Sequence, residues 1–371
     1  MLTTPSQQLG DLLLRICSSL QITQTQHNAA EDHYNAIGAW LADPGSGLYR
    51  FRPQIYSQGS FRLGTTVKPR KREEYDVDVV CELRADPRLF PNPVTLLDLI
   101  ESLLRQHGDY ATRLKRKNRC IRVLYARDFY LDILPGCPDP NGHDTCLVVP
   151  DRNGGCWKAS NPKGYASWFE TTSEKRMIKA ALEPLPEFEY GVLKPPLAYA
   201  VQLLKRWRDV FYETQPEIAP ISIVLTTLAG LHYGGETDVV AALTAVLDRI
   251  VQAIPPVGQR LIVLNPSNHK EDLSEKWHQN PHSYLAFVTG MNSFLKNWRA
   301  IVAGRGIPEV TSALSSLFGE DITQRVVKEQ AEAVQKARRN RTLSLDAKSK
   351  SIVMGAGLTT IPVRPNTFFG D

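Results

Sequence analysis

Tyr75-Asp76-Val77-Asp78-Val79-Val80 is the stretch on which the reading of this chain turns. Apolar residues at every second position give it the period of a strand. Tyr75, Val77 and Val79 then share one face, and Asp76 and Asp78 share the other. Two carboxylates side by side on a sheet face repel, and an oxygen-preferring divalent cation such as Mg²⁺ relieves the repulsion. A strand that turns its acids to water fits the same pattern, so the pair needs support from elsewhere in the chain.

That support comes from both sides. Upstream stands Gln58-Gly59-Ser60, where a glycine allows close backbone approach and a serine adds a hydroxyl donor, features that suit a phosphate group. Downstream, Phe129-Tyr130-Leu131-Asp132-Ile133-Leu134-Pro135 alternates again and carries a third acid. If residues 120–126 and 129–135 pair as a hairpin over Arg127-Asp128, Asp132 lies beside the first two aspartates. Taken alone, Asp132 reads as one half of a salt bridge to a nearby arginine. Taken together, three carboxylates on one face suit two metal ions about 3.5–4 Å apart on either side of a phosphoryl group. There is no G-x-x-x-x-G-K-[ST] loop and no G-x-G-x-x-G turn, which removes Walker-type and Rossmann readings.

The rest of the chain frames this segment. Leu9, Leu12, Leu13, Ile16 and Leu20 recur at helical spacing with Thr4 and Ser6 as N-caps, and a second helix is expected from about Thr25 to Ala42. A helix over Val94–Gln106 interrupts the strand-like segments, whereas 135–162, rich in Gly, Pro, Asn and Asp, reads as loops. From Lys194 onward the pattern is helical almost throughout. Sheet first and helices after predict an α+β chain: a sheet-containing lobe over 1–190 led by a helical spine, a helical lobe over 191–345, and a flexible tail over 346–371. A cleft between two such lobes is a favoured place for a ligand.

Composition sets the outer limits. The 371 residues are 42% hydrophobic and 22% charged, ordinary globular values, and 44 basic against 39 acidic residues leave a net charge of +5. That mild excess suits phosphate-bearing ligands without demanding nucleic acid. No apolar run reaches the ~18 residues of a membrane span, and the first twenty residues lack a signal-peptide pattern, so a cytoplasmic location is expected. Cys137, His143, Cys146 and Cys156 form a loose C-x5-H-x2-C-x9-C run. Structural zinc sites use tighter pairs, so these are read as scattered small hydrophobes and not as a zinc site. The basic run Arg113, Lys115, Arg116, Lys117, Arg119, Arg122 and the cluster Lys336, Arg338, Arg339, Arg341 lack interleaved aromatics and are read as solvated edges rather than a nucleic-acid surface.

The segments QGSFRLGTTVKP, YDVDVV and YLDILP together resemble the nucleotidyltransferases of the DNA polymerase β-like superfamily. SNPKGYASWFE at 160–170, LLKRWRD at 203–209, ISIVL at 221–225 and LNPSNHKEDLSEKW at 264–277 narrow the likeness to the bacterial cyclic-oligonucleotide synthases related to cyclic GMP-AMP synthase and oligoadenylate synthase. These segments run in family order over roughly residues 50 to 290. The resemblance implies a two-lobed polymerase β-like fold with a mixed sheet in the N-terminal lobe. It makes Asp76, Asp78 and Asp132 the ligands of two Mg²⁺ ions, with Asp132 helping to activate the attacking ribose hydroxyl. Gln58, Gly59 and Ser60 would line the donor triphosphate, and Lys205 and Ser222 would bind it from the helical lobe, with Arg62 as a further phosphate contact. Base-reading residues are not placed by it. The implied activity is template-independent synthesis of a cyclic di- or trinucleotide from ATP and GTP, a second messenger acting on a separate effector in bacterial anti-phage signalling, with accessory proteins as further partners. In some relatives the C-terminus is joined to a target, for which Gly370 would serve if Asp371 were removed. Two other readings stay open: a linear oligoadenylate or RNA-tailing enzyme, and a nucleotide-binding pseudoenzyme that signals by conformation.

Overall fold

The alternating segments fold into neighbouring strands of one sheet. The structure is a computed structural model that describes residues 5–70, 74–125, 129–180, 194–304, 307–340, 343–346, 351–354 and 360–362. The N-terminal half runs α1 (Pro5–Leu20), α2 (Gln24–Ala42), β1 (Gln54–Gln58), α3 (Gly59–Arg62), β2 (Tyr75–Glu82), α4 (Val94–Gln106), β3 (Leu114–Arg116), β4 (Ile121–Tyr125), β5 (Phe129–Pro138), β6 (Leu147–Asp151), β7 (Cys156–Ser160) and α5 (Pro162–Ala180). The C-terminal half continues with α6 (Pro196–Phe211), α7 (Ser222–His232), α8 (Val239–Ala253), β8 (Leu264–Asn265), β9 (Asn268–Asp272), α9 (Glu275–Gln279), α10 (Pro281–Ala303), α11 (Ile307–Phe318) and α12 (Glu320–Arg339). Three short strands follow: β10 (Leu343–Asp346), β11 (Ser351–Met354) and β12 (Thr360–Pro362).

The main sheet has strand order β1-β2-β5-β4-β3, and β6 and β7 extend it from the far end of β5. Only β2 and β5 run parallel, which makes the sheet mixed, as expected for an α+β fold. Register is set by what the strands bury. Val77, Val79, Ile121, Val123, Leu131 and Ile133 pack with Leu96, Leu97, Ile100 and Leu104 of α4 in one core. A slip of one residue would expose this whole set, so the acids are held on the opposite face.

A second core gathers α6, α7, α8, α10, α11 and α12 around Trp207, Phe294 and Trp298. Leu13, Ile16 and Leu20 of α1 are buried in this helical core, although α1 leads the chain. The second helix starts as capping physics dictates. Thr23 and Gln26 form a reciprocal capping box ahead of α2. No described helix is long and apolar enough to cross a membrane.

Three expectations need correcting. Residues 135–162 are not all loop, because Leu147–Asp151 and Cys156–Ser160 pair as a hairpin. Gly, Pro and Asn density marked the turns correctly but hid two five-residue strands between them. The LNPSNHKED segment also forms a small hairpin, β8–β9. Within the stretch read as a tail, β11 and β12 each pair antiparallel with β10, which lies just before it. Residues 363–371, with Gly370 and Asp371, lie outside the described residues, as do Arg127, Asp128 and Arg341.

Candidate active site

The pairing of four strands builds the site. Gln58 stands opposite Asp78, Asp78 opposite Asp132, and Asp132 opposite Arg122. Cross-strand partners point to the same face, so these four side chains form one row across β1, β2, β5 and β4. Asp76 lies two residues before Asp78, on the same face of β2. The hydrophobic alternation thus places all three predicted aspartates together.

Gly59 closes this row. Its φ of +63° is left-handed, and a Cβ there would sit 2.2 Å from Asp78 Oδ2. Only glycine allows both the turn and the approach of Asp78. Ser60 follows, its Oγ accepting from the Thr66 hydroxyl at 3.4 Å. Among the described residues Asp78 has no ion pair. Burial, then repulsion from Asp76 and Asp132, pushes its carboxyl up to about 7.

Arg122 is the residue that sequence reasoning put in the wrong place. It was grouped with a solvated basic run, but its Nε donates to Asp132 Oδ1 at 2.7 Å and its Nη2 to Asp132 Oδ2 at 2.7 Å and Asp76 Oδ1 at 2.8 Å. The guanidinium also stacks 4.5 Å above the Tyr130 ring. The salt-bridge reading of Asp132 and the clustered-acid reading are therefore both present in this one arrangement. Others of the run are engaged internally too. Arg116 pairs with Asp98 and Glu101, and Arg119 with Asp151 and Glu275. Arg113 and Lys115 remain exposed.

The donor set suits Mg²⁺, being all oxygen and triply acidic. A cation already stands there in the form of the arginine. Among the described residues no group of three His, Cys, Asp or Glu is drawn close enough to hold a metal as it stands. Arg122 engages both oxygens of Asp132 and one of Asp76. Of the loose cysteine run, Cys137 and Cys146 are buried, Cys156 is exposed and Asn161 Nδ2 donates to Cys146 Sγ at 3.6 Å.

The helical lobe faces this row across a cavity of about 800 Å³, lined by Gln58, Gly59, Ser60, Asp76 and Asp78 on one side and Lys205, Arg208 and Ser222 on the other. Lys205 is not a solvated helix lysine. It is 5% exposed and donates to Thr65 O at 3.0 Å and Thr65 Oγ1 at 3.1 Å. Burial and the nearby Arg208 push its ammonium down to about 7, against the pull of Asp78. Gln202 donates to Thr66 O at 2.9 Å and Lys194 to Gly64 O at 2.8 Å, so α6 and Lys194, two residues before it, hold the loop after Ser60 in place. Ser222 is the first residue of α7, not its cap, and accepts from Arg208 Nη1. Arg208 was missed, though its signal was available: it lies three residues after Lys205, on the same helix face. Arg62 pairs with Glu170 at 2.7 Å and is not part of the cavity wall.

Residues 8–172 match the Second Messenger Oligonucleotide or Dinucleotide Synthetase domain. Along its length the chain is similar to a c-di-GMP synthase of Roseivirga ehrenbergii, at 29% identity over 98% of both chains. It is also similar to the cyclic dinucleotide synthase CdnG of Bradyrhizobium diazoefficiens, at 24% identity over 86% of this chain and 82% of that one. Over nearly all of its length the chain is thus similar to bacterial CD-NTases. It is a nucleotidyltransferase. The solved structure of CdnG from B. diazoefficiens in complex with GTP shares its fold, with a TM-score of 0.72 at 21% identity, covering 87% of this chain and 99% of that one. CD-NTases generally use divalent metals, which agrees with the acidic donor set described above.

Proposed function

We propose that this protein makes a cyclic di- or trinucleotide second messenger from nucleoside triphosphates without a template. The observation that carries the reading is that Asp76 and Asp78, with Asp132 beside them in the row, face Lys205 and Arg208 across one cavity that also holds Gly59 and Ser60. The names of the two relatives, a c-di-GMP synthase and a cyclic dinucleotide synthase, support a cyclic product, and the first of them supports guanine nucleotides as substrates. We assign residues 1–190 to the nucleotidyltransferase lobe, with α1 lent to the helical core, and residues 191–345 to the helical lobe.

In this mechanism Asp76, Asp78 and Asp132 would hold two Mg²⁺ ions, which when bound neutralise the triphosphate and favour departure of pyrophosphate. The protein supplies position. Ser60 and the backbone at Gly59 would meet the phosphate oxygens from the sheet side, and Lys205, Arg208 and Ser222 from the helical side. Charge on the phosphates would raise the buried Lys205 back toward its protonated form. Asp132 would orient the ribose hydroxyl of the second nucleotide and take its proton. The linear intermediate then turns and a second attack closes the ring. Its product would act on a separate effector in bacterial anti-phage signalling. The RNA-tailing reading would call for a broad free basic surface, and Arg116, Arg119 and Arg122 are instead engaged in internal pairs.

The test is direct. The protein is incubated with Mg²⁺ and four labelled triphosphates, and the products are treated with phosphatase. A phosphatase-resistant product is expected. A phosphatase-sensitive product would mean a linear synthase, and no product without added RNA would overturn the proposal.

A further inference from the structure

One half-buried acid in the cavity has no part in the chemistry above. Glu271, on β9, lines the cavity together with Ser160, Asn161, Asn265 and Arg119. Its Oε2 accepts from Asn265 Nδ2 at 2.6 Å, and the Ser160 hydroxyl reaches Oε1 only at 3.5 Å. The described residues give Glu271 no salt bridge. Burial raises it above the usual glutamate range, against the pull of Arg119, which is itself paired with Asp151 and Glu275. The Asn161 backbone N–H is a third donor to it, and since a carboxylate offers roughly four acceptor sites, room for a further donor remains. The Ser160 contact is long enough to yield to a ligand.

The position fits a base. Leu134 lies two residues beyond Asp132 on the same face of β5, about 7 Å along the strand, and it lines the cavity with Val149. A nucleotide with its ribose at Asp132 would lay its base against these apolar side chains, with its edge toward Glu271. We propose that Glu271 is the specificity-determining residue for guanine, accepting hydrogen bonds from the N1–H and the 2-amino group of one of the two nucleotides. Among the four common bases guanine alone presents two adjacent N–H donors on its pairing edge, matched to the two oxygens of a carboxylate. Adenine and cytosine would set a ring-nitrogen lone pair against the charge, and uracil two carbonyls. Such mismatches leave buried polar groups unpaired, which is how a polar site rejects the wrong ligand. This inference rests on the cyclic-oligonucleotide reading and deepens it.

The experiment uses the full chain with Mg²⁺ and an equimolar mixture of GTP and ITP, which differ only by the 2-amino group. Phosphatase-resistant products are then analysed by mass for guanine and hypoxanthine content. Wild type is expected to favour guanine at one position by about tenfold or more, the effect of one lost hydrogen bond to a charged group. Glu271→Ala and Glu271→Gln should bring that ratio close to one. A residue that merely ties β9 to Ser160 would change the amount of product and not its base ratio. The proposal is overturned if wild type incorporates both bases equally, a result that needs no variant to fold. It is equally overturned if Glu271→Ala keeps the wild-type ratio. No cyclic product from any triphosphate would remove the functional reading along with it, whereas product with an unchanged ratio removes the base reader alone.

Discussion

The two walls of the cavity carry opposite charge and are perturbed in opposite directions. On the sheet wall, burial and neighbouring acids push Asp78 up to about 7, and on the helical wall burial pushes Lys205 down to about 7. The walls also differ in how they are held. The acids sit in a row fixed by strand register and gathered by Arg122, while Lys205 is tied to the backbone and hydroxyl of Thr65. The difference teaches what the site is short of. The sheet wall needs a cation beyond its one arginine, and the helical wall needs an anion. A metal–triphosphate complex supplies both at once.

The sheet wall can be broken most severely at Arg122. Arg122→Met should destabilise the metal-free protein by about 3 kcal/mol, because it leaves Asp132 buried without its partner. Mg²⁺ should then raise the melting temperature of the variant more than that of wild type. A melting curve like that of wild type without metal would mean that Arg122 does not hold the acids together. Gly59→Ala tests the same wall from its other end. A Cβ 2.2 Å from Asp78 Oδ2 must push that carboxylate away, and synthesis should fall on the order of 100-fold, as for other misplacements of about an ångström. Activity within a few-fold of wild type would show that the tight approach is dispensable.

The helical wall should yield a smaller and different effect. Lys205→Ala should weaken triphosphate binding by about 1–3 kcal/mol, the range for a charged hydrogen bond. The loss should appear mainly in apparent affinity and less in the rate at saturation. Unchanged affinity would remove Lys205 from the triphosphate site.

The comparison is sharpened most finely by pH. Asp78 binds its proton more tightly folded than unfolded, so it costs the metal-free protein stability as pH rises from about 4 toward about 7. Lys205 binds its proton less tightly folded, so it costs stability as pH falls from about 10.5 toward about 7. Asp78→Asn should flatten the acid limb of the melting-temperature profile and Lys205→Met the alkaline limb. If either substitution flattened the opposite limb, the assignment of these two groups would be wrong.

Much of the sheet wall was legible in the sequence because strands obey a period of two. Gln54–Gln58 and Val94–Gln106 fall where residue pattern placed them, and alternation sets the face of Asp76, Asp78 and Asp132 on their strands. Arg122 was legible by the same rule. Ile121 and Val123 flank it, which turns it to the acid face, but its neighbours in a basic run obscured this. The helical wall was only partly legible. A helix pattern puts Lys205 and Arg208 on one face yet says nothing about which partner that face meets. Glu271 had no local signal, because its place depends on a β8–β9 hairpin docked beside β7 from more than a hundred residues away. Strands six and seven were lost for a related reason: their turns are strong signals and their five-residue bodies are weak ones.

The central claim is that the row of aspartates is a metal-dependent catalytic centre. It is tested most directly by pyrophosphate release from wild type, Asp76→Asn and Asp78→Asn, each with Mg²⁺ and with EDTA. Either asparagine preserves volume and removes charge, so the protein should fold and melt no lower than wild type without metal. The account predicts release by wild type with Mg²⁺ only, and none above background from either variant. Activity within a few-fold of wild type in either variant, or release by wild type in EDTA, would contradict it.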